Sequence, residues 1–315
     1  MDQLHHLLIV NPFDTKTIKY LDEHYQIHKL WQCQDKDERE SLLEHIAPHC
    51  RAMATANFAN AKMLAALPNL KMIASFGVGT DGIDFGIANE RNIFVSNTPD
   101  VLNDEVADLA LALILATQRQ IVKADNFVRA GQWSSGPMPF GRAITGKTLG
   151  IMGLGRIGEA IAERAIACKM QIAYHNRRQK KLPYRYCQDF EELAAASDIL
   201  LNVLPSTTET KHIVSDKILS ALGNRGTFIN IGRGDTVDQT ALIHALKNNT
   251  IAGAGLDVYV NEPYVPTELI DLPNVVLTPH IGCATVETRA AMGELVIDNL
   301  AAFFEQQPLL TPVME

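Results

Sequence analysis

The sequence predicts an α/β protein with two parallel sheets, in which one domain is inserted into the other. Short apolar runs alternate with polar or amphipathic segments in residues 1–98, and the same alternation returns in residues 148–280. A repeated succession of strand, helix and strand is typical of parallel sheets. The last amphipathic segment, at 286–307, is expected to be a helix that packs back on the first part of the chain. At 315 residues the chain is long enough for two domains.

The first part of the chain contains candidate strands separated by charged segments. The strands are LLIV at 7–10, RAMAT at 51–55, KMIASFG at 71–77 and NIFVSN at 92–97. A segment such as KDERESLLEHIA at 36–47 has the composition of an exposed helix.

The chain changes character after Pro99. Residues 104–131 predict one long helix that is apolar early and amphipathic later. The loop SSGPMPFG at 134–141 contains proline and glycine and marks a boundary or an exposed arm. A second series of candidate strands follows. These are TLGIMGLG at 148–155, QIAY at 171–174, DILLNVLP at 198–205, GTFINIG at 226–232, GAGLDVYV at 253–260 and NVVLTPH at 274–280.

Composition and charge argue against several classes of partner. The chain is 47% hydrophobic and 20% charged, and its net charge of −8 argues against a nucleic-acid-binding surface. The longest apolar run, Leu109–Ala116, is far shorter than the ~20 residues that cross a bilayer, so we expect a buried helix there. The five cysteines show no CxxC spacing. We therefore expect a cytoplasmic protein with reduced thiols, no metal, no nucleic acid and no membrane contact.

The stretch GLGRIG at 153–158 fits the phosphate-binding pattern G-x-G-x-x-G. Gly153 permits the tight turn, Gly155 lets the backbone approach a pyrophosphate, and Gly158 allows helix and strand to pack closely. By itself the pattern is weak evidence, because glycine turns between strands and helices are common. Here the strand candidate TLGIM precedes it and the helix candidate at 159–167 follows it. This context predicts a Rossmann-like domain whose helix N-terminus faces the phosphates of a dinucleotide.

The residues after QIAY bear on which dinucleotide binds. The ribose-reading position, where an acid favours NAD, holds Asn176. Asn176 removes the repulsion of a 2′-phosphate, and Arg177 and Arg178 can bind that phosphate through charge-assisted hydrogen bonds. The turn therefore predicts a preference for NADP(H), with NAD(H) as the weaker alternative. The opposing interpretation is that these arginines and the lysines beside them form only a solvated basic turn.

Three polar stretches follow or end predicted strands of this domain and supply candidate catalytic residues. In such sheets ligands bind beyond the carboxyl ends of the strands, so Arg233, Glu262 and His280 are expected to converge there. A single His or Arg is more often structural than catalytic, but this ordered set downstream of a glycine motif favours catalysis. The stretches are NIGRGD at 230–235, LDVYVNEP at 256–263 and TPHIGCAT at 278–285.

Together these motifs resemble those of the D-isomer-specific 2-hydroxyacid dehydrogenase family, over nearly the whole chain. SFGVGTDGID at 75–84 belongs to the same set. The stretch TPDVLNDEVADLA at 98–110 and the ending PLLTPV at 308–313 resemble the branch of NADPH-dependent glyoxylate/hydroxypyruvate reductases and plant hydroxyphenylpyruvate reductase.

The resemblance implies a role for each residue of the chemical site. His280 is the general acid that protonates the carbonyl oxygen, and Glu262 orients its ring and favours the imidazolium. Arg233 binds the substrate carboxylate and polarises the carbonyl. The backbone N–H groups of Val78 and Gly79 complete the carboxylate site. The resemblance also implies cofactor contacts from Arg156, Ile157, Pro205, Thr210, Ile231, Gly232, Asp257 and Gly282, with Asp257 on the nicotinamide carboxamide.

The expected domains follow from the same reading. Residues 1–98 with 286–315 form the substrate-binding domain, and residues 99–285 form the NADP(H)-binding domain. Within the latter, 99–146 contains a dimerisation helix and the arm around Trp133. We expect a homodimer.

The expected substrates are glyoxylate and hydroxypyruvate. Met53, Ala54 and Phe58 suggest a partly apolar wall, which keeps hydroxyphenylpyruvate and other bulky 2-oxo acids as the alternative. Two related groups of enzymes fit the sequence less well. Formate dehydrogenases carry Gln where this chain has Glu262, and phosphoglycerate dehydrogenases usually prefer NAD, whereas this chain has the Asn176–Arg178 turn. A dinucleotide-sensing protein on the same fold is a further alternative, because fold does not dictate function.

Overall fold

The computed structural model describes residues 4–313 and divides the chain into two compact units. The outer unit combines residues 1–102 with 284–315. The inserted unit comprises residues 103–283. One unit is thus inserted within the sequence of the other.

The outer unit is built on a five-stranded parallel sheet in the order β2-β1-β3-β4-β5. The central strands β3 and β4 are buried along their whole length, as expected for a parallel sheet covered on both faces. The strand Gln26–Lys29 was not predicted, because it is a polar edge strand without an apolar run. The strands are β1 His6–Ile9, β2 Gln26–Lys29, β3 Ala52–Thr55, β4 Met72–Ser75 and β5 Phe94–Ser96.

Side-chain caps begin the helices of the outer unit. Each of the first four helices follows an Asp or Asn whose side chain accepts a backbone N–H of the first turn. The last helix packs closely on the first: a Cβ at Gly293 would lie 1.8 Å from Thr17 Oγ1. The helices are α1 Thr15–His24, α2 Lys36–Ile46, α3 Ala61–Ala66, α4 Phe85–Glu90 and α12 Val286–Phe304.

The inserted unit is built on a seven-stranded parallel sheet in the order β12-β11-β10-β9-β6-β7-β8. The chain order reverses between β6 and β9, and ligands bind at such a switch point in open α/β sheets. Each predicted strand is present, but the two-residue strand Arg185–Tyr186 is too short to be predicted from its sequence. The strands are β6 Thr148–Met152, β7 Gln171–His175, β8 Arg185–Tyr186, β9 Ile199–Asn202, β10 Thr227–Asn230, β11 Gly253–Leu256 and β12 Val275–Leu277.

Helices cover this sheet. The helix Asn103–Gln118 packs on β10 and β11, and it also contacts the helix Arg156–Ala167 that follows β6. The helices are α5 Asn103–Gln118, α6 Ile121–Arg129, α7 Arg156–Ala167, α8 Phe190–Ala195, α9 Asp216–Leu222, α10 Gln239–Lys247 and α11 Thr267–Ile270.

The prediction of one helix over 104–131 is wrong. Two helices, α5 and α6, occupy this region and are separated at Gln120, whose φ of 54° is left-handed. The arm returns to the end of α5, where the Arg142 N–H donates to the Gln118 carbonyl at 2.7 Å. The Gln118 side chain is buried and donates to Thr227 on β10 at 2.7 Å. These contacts anchor the end of α5 and separate it from α6.

Among residues 4–313, no helix combines the length and the apolar content needed to cross a bilayer.

Candidate active site

The turn between β6 and α7 has the backbone geometry of a phosphate site. Gly153 has a φ of +97°, which an L side chain rarely adopts. A Cβ at Gly158 would lie 2.5 Å from the Gly153 carbonyl oxygen, so only glycine allows this approach of helix to turn. At Gly155 a Cβ would meet nothing within 4 Å, so this side of the turn is open. The first N–H groups of a helix are not bonded by its own carbonyls, so the N-terminus of α7 is suited to an anion such as a phosphate group.

Asn176 holds this turn from the end of β7. Its Oδ1 accepts the Leu154 N–H at 2.6 Å, and its Nδ2 donates to the Leu154 carbonyl at 3.2 Å. The Tyr186 hydroxyl donates in turn to the Asn176 carbonyl at 3.1 Å. Both polar atoms of the Asn176 side chain therefore bind the glycine turn, a role that the sequence did not reveal.

Arg177 and Arg178 differ from the basic residues beside them. Both are exposed and make no hydrogen bond or ion pair within the part of the chain that the structure describes. Lys180 pairs with Glu159 in the first turn of α7, and its backbone N–H and carbonyl both bond the Tyr174 hydroxyl. The two arginines are thus available for an anion, whereas Lys180 is engaged.

Two further loops reach the same edge of the sheet from β9 and β10. In the first, Thr210 Oγ1 donates to the Pro205 carbonyl at 2.7 Å. In the second, Ile231 is buried, and a Cβ at Gly232 would lie 2.7 Å from the Leu204 carbonyl oxygen. The two loops are thus packed backbone to backbone.

A buried polar network holds the backbone at Arg233. The Arg233 carbonyl accepts from Asn230 Nδ2 at 3.1 Å and from Thr236 Oγ1 at 2.6 Å. Asn202, at the end of β9, donates to Asn230 Oδ1 at 2.9 Å and to Thr236 Oγ1 at 2.7 Å. Buried amides and hydroxyls cost free energy unless they are hydrogen bonded, so this network favours one conformation of the loop.

The next residue joins the Arg233 loop to the loop after β11. A Cβ at Gly234 would lie 2.0 Å from the Tyr259 carbonyl group, so the two backbones touch. The Tyr259 hydroxyl lies 3.1 Å from the Leu256 carbonyl and 2.9 Å from the Thr278 carbonyl, and burial raises its pKa to about 12. The Tyr259 N–H donates to Glu262 Oε1 at 2.9 Å. Tyr259 therefore links the loops that carry the three candidate catalytic residues.

Glu262 and His280 form a hydrogen-bonded pair. His280 Nδ1 lies 2.6 Å from Glu262 Oε2, and 47% of the His280 side chain is exposed. The pairing of Nδ1 leaves Nε2 as the ring atom that can act on a substrate. His280 has a left-handed φ of 52°, and its N–H donates to the Asp257 carbonyl at 2.9 Å. Strained backbone of this kind clusters at functional sites.

The pKa of Glu262 lies below its usual value of 4.5. Burial alone would raise this pKa, but the hydrogen bonds from His280 and Tyr259 and the positive charges of His280 and Arg233 outweigh burial. Glu262 is therefore ionised at neutral pH, with its carboxylate hydrogen bonded to the His280 ring.

Asp257 braces the loop that carries His280. Its Oδ1 accepts from Thr278 Oγ1 at 2.7 Å and from the Ile281 N–H at 2.9 Å, and its Oδ2 accepts the Gly282 N–H at 3.0 Å. Only 1% of Asp257 is exposed, and this burial raises its pKa above the usual 3.8 against the effect of these hydrogen bonds. The predicted contact of Asp257 with a nicotinamide carboxamide stays a prediction.

Comparison with known proteins supports the chemistry that this geometry suggests. Residues 111–282 match the family model described as D-isomer specific 2-hydroxyacid dehydrogenase, NAD binding domain. Over 312 residues the chain is 44% identical to glyoxylate/hydroxypyruvate reductase A HPR2 of Arabidopsis thaliana, and the match covers 98% of each protein. The chain belongs to this family. The chain is also 43% identical over 311 residues to hydroxyphenylpyruvate reductase of Plectranthus scutellarioides, and this match covers 98% of each protein.

Solved structures agree with this assignment. The NADPH-dependent glyoxylate/hydroxypyruvate reductase of Sinorhizobium meliloti, in complex with NADP and malonate, is 39% identical and superposes with a TM-score of 0.90. That match covers 99% of the dehydrogenase and 97% of the other chain. The predicted family, fold class and enzyme class are thus confirmed: the protein is an oxidoreductase of the 2-oxo acid reductase type with an NAD(P)-binding domain.

The outer unit of the dehydrogenase holds the predicted carboxylate site at the carboxyl end of β4. Gly77 has a φ of +155° at the start of this loop. Neither the N–H of Val78 nor that of Gly79 donates a hydrogen bond to any of residues 4–313. Two adjacent N–H groups without an internal partner suit an anion.

The predicted apolar wall is wrong for two of its three residues. Met53 and Ala54 lie within β3 and have no exposed surface, so they belong to the core of the outer unit. Phe58 lies beyond the end of the strand and is 45% exposed. Its backbone N–H and carbonyl are both held by Thr55 Oγ1 at 3.0 Å.

Sequence reasoning missed the residues that position the site. These are polar residues at or shortly after the ends of strands, and Asn202, Asn230 and Thr236 among them are buried where an apolar residue would be the ordinary choice. An asparagine within each of the apolar runs DILLNVLP and GTFINIG indicates a buried polar residue, but the sequence does not show which residues it bonds. The missed residues are Asn97, Asn202, Asn230, Thr236 and Thr278.

Proposed function

We propose that the protein is an NADPH-dependent reductase that converts glyoxylate or hydroxypyruvate to the corresponding 2-hydroxy acid, with D configuration where C2 is chiral. The observation that carries the proposal is the hydrogen bond between His280 and Glu262, which leaves His280 Nε2 available to a substrate. Tyr259 links the loop that carries His280 to the loop that carries Arg233. A proton donor and a carboxylate-binding cation are the two groups that reduction of a 2-oxo acid requires from the protein.

Each residue has one task in this reaction. His280 Nε2 gives its proton to the carbonyl oxygen, and ionised Glu262 holds Nδ1 and stabilises the charge of the ring. The Arg233 guanidinium binds the substrate carboxylate and draws electron density from the carbonyl. The N–H groups of Val78 and Gly79 bind carboxylate oxygens. The bound nicotinamide supplies the hydride.

The cofactor is proposed to bind with its pyrophosphate at the glycine turn. The open side at Gly155 and the N-terminus of α7 fit a phosphate group. NADP(H) is preferred, because Arg177 and Arg178 are exposed and form no hydrogen bond or ion pair with any of residues 4–313. Both guanidinium groups are then available to the 2′-phosphate. In this assignment the nucleotide binds to the inserted unit.

Bulky 2-oxo acids such as hydroxyphenylpyruvate are the second candidate substrates. Phe58 presents an exposed ring on the loop that follows β3, and a relative at 43% identity is a hydroxyphenylpyruvate reductase. An aromatic ring beside the substrate would favour an aromatic side chain over glyoxylate.

A homodimer is proposed from the surface of the inserted unit. No residue of α6 is buried, and the arm after it carries large apolar side chains in solvent. An exposed apolar patch of this kind marks an interaction surface, and a second copy of the chain is the expected partner. The residues are Ile121, Val122, Val128, Trp133 and Phe140.

Nicotinamide absorbance tests the function directly. Purified protein is mixed with NADPH or NADH and with glyoxylate, hydroxypyruvate or hydroxyphenylpyruvate, and kcat/KM is compared for each pair. We expect oxidation of NADPH to be at least about tenfold more efficient than that of NADH. His280→Ala should abolish turnover but still bind NADPH. Tight nucleotide binding without turnover of any acid by the wild type would contradict the proposal.

A further inference from the structure

The last described segment of the chain lies along the edge of the outer unit's sheet. Pro312 forms an antiparallel bridge with Ser96, and the Val313 N–H donates to the Val95 carbonyl at 2.8 Å. Because β5 is an edge strand, residues 311–313 of the C-terminal segment 308–313 lie along its open side. Thr311 lies beside Asn97, the first residue after β5.

Thr311 joins the C-terminal segment to Asn97. Its Oγ1 donates to the Asn97 carbonyl at 2.6 Å, and its carbonyl accepts the Asn97 N–H at 3.3 Å. On its other side lies Asn299 of α12, which is only 1% exposed. The Asn299 side chain accepts the Thr311 N–H at 3.2 Å and donates to Thr311 Oγ1 at 3.0 Å. Thr311 is therefore fixed from both sides.

Asn97 and Thr98 carry this link to the predicted carboxylate site. Asn97 Nδ2 donates to the Val78 carbonyl at 2.9 Å, and the Thr98 N–H donates to the Gly77 carbonyl at 2.9 Å. A peptide unit is planar, so a fixed carbonyl fixes the direction of the N–H that follows it. The held Gly77 carbonyl therefore sets the Val78 N–H, and the held Val78 carbonyl sets the N–H of Gly79.

We propose that Thr311 and Asn97 are positioning residues that orient the Val78 and Gly79 N–H groups toward the substrate carboxylate. This inference rests on the proposed function, in which those two N–H groups bind the carboxylate. The C-terminal segment then sets the affinity for the 2-oxo acid through the backbone of the loop. It has no such effect on the nucleotide.

Substitutions at Thr311 test the link. Thr311→Val keeps the shape of the side chain but removes the hydroxyl, whereas Thr311→Ser keeps the hydroxyl. We expect Thr311→Val to raise the KM for glyoxylate about tenfold, with the KM for NADPH and the fluorescence-measured Kd for NADPH changed less than about twofold. Thr311→Ser should stay close to the wild type in all three.

A double-mutant cycle distinguishes a link in series from two separate effects. Asn97→Ala should raise the KM for glyoxylate as well, and adding Thr311→Val to it should raise the KM little further, because Thr311 acts on the loop through Asn97. The control is Asn69→Ala, which removes an amide that donates to the Pro48 carbonyl elsewhere in the outer unit. It should lower the thermal midpoint without changing either KM.

The outcomes separate this inference from the proposed function. An active wild type whose KM for glyoxylate is unchanged in Thr311→Val overturns the link alone. Equal changes in the KM for glyoxylate and for NADPH, matched by lost thermal stability as in Asn69→Ala, would show a general structural role and also overturn it. A wild type that reduces no 2-oxo acid overturns both proposals.

Discussion

The side chain of Asn176 differs from that of an aspartate in one group, the NH2 that can donate a hydrogen bond. An acid at this position would accept the Leu154 N–H equally well, but it has no donor for the Leu154 carbonyl, which lies 3.2 Å from Asn176 Nδ2. A carboxylate oxygen there would face a carbonyl oxygen instead. The asparagine is therefore suited both to a 2′-phosphate nearby and to the closed glycine turn.

Asn176→Asp should consequently fail to convert the enzyme to NADH. We expect weaker NADPH binding, by about 5- to 100-fold, because a buried carbonyl loses its donor and the new charge repels the 2′-phosphate. We also expect no gain in NADH affinity. Fluorescence titration with each nucleotide measures both values, and Arg177→Ala serves as the control that should weaken NADPH binding alone. Tighter NADH binding in Asn176→Asp would show that the contact with Leu154 is unimportant.

The charge of Glu262 gives a prediction about pH. Its pKa lies below 4.5, so the carboxylate of the wild type stays ionised beside His280 until the pH falls below that value. Glu262→Gln keeps the shape but removes the charge that stabilises the imidazolium. We expect kcat for reduction to fall about 100-fold, and the decline of the wild-type rate as Glu262 becomes protonated below pH 4.5 to be absent in the variant. The measurement is a pH profile of kcat and kcat/KM in both proteins, and identical profiles would contradict this role.

At the scale of elements, apolar runs predicted the buried strands well, because a parallel sheet buries both faces and needs a continuous apolar run. The polar edge strands β2 and β8 have no such run and were missed. The break after α5 was also hidden, because Gln120 has no propensity that marks it, and the break depends on contacts with Arg142 and Thr227. The catalytic residues followed from motifs, but the buried amides that hold them need three-dimensional partners to be recognised.

The edge strand β2 brings histidines together and gives a prediction about stability. His6 Nδ1 lies 3.1 Å from His28 Nε2, and His45 and His49 are close enough to affect them. Burial, and then these neighbouring histidines, lower the pKa of both His6 and His28 below 6.5. The unfolded chain then binds more protons below pH 6.5, so the free energy of unfolding falls as the pH drops through that range.

His28→Gln should reduce this pH dependence. We expect the urea midpoint of the wild type to fall between about pH 7.5 and about pH 5.5, and that of His28→Gln to fall by less. His24→Gln, on the exposed C-terminal turn of α1, is the control and should behave as the wild type does. An equal slope in all three proteins would contradict the histidine explanation.

At the scale of the whole molecule, the apolar arm predicts the oligomeric state. Phe140 is 98% exposed and Trp133 is 68% exposed, so burial against a second chain would stabilise a dimer. Light scattering during size-exclusion chromatography should give twice the chain mass of 34.7 kDa. Phe140→Ser combined with Trp133→Ser should shift the protein toward the monomer. A monomeric wild type at micromolar concentration would contradict the prediction.

The insertion of one unit into the other also orders events during synthesis. The ribosome releases residues 1–102 long before α12, yet Gly293 of that helix packs against Thr17 of the first. Residues 1–102 cannot pack against α12 until the whole inserted unit has been synthesised. Residues 103–283 form a continuous segment and can fold as soon as they leave the ribosome. The nascent outer unit is therefore the part of the chain that most needs chaperone protection, and chains truncated before residue 286 should be the first to aggregate.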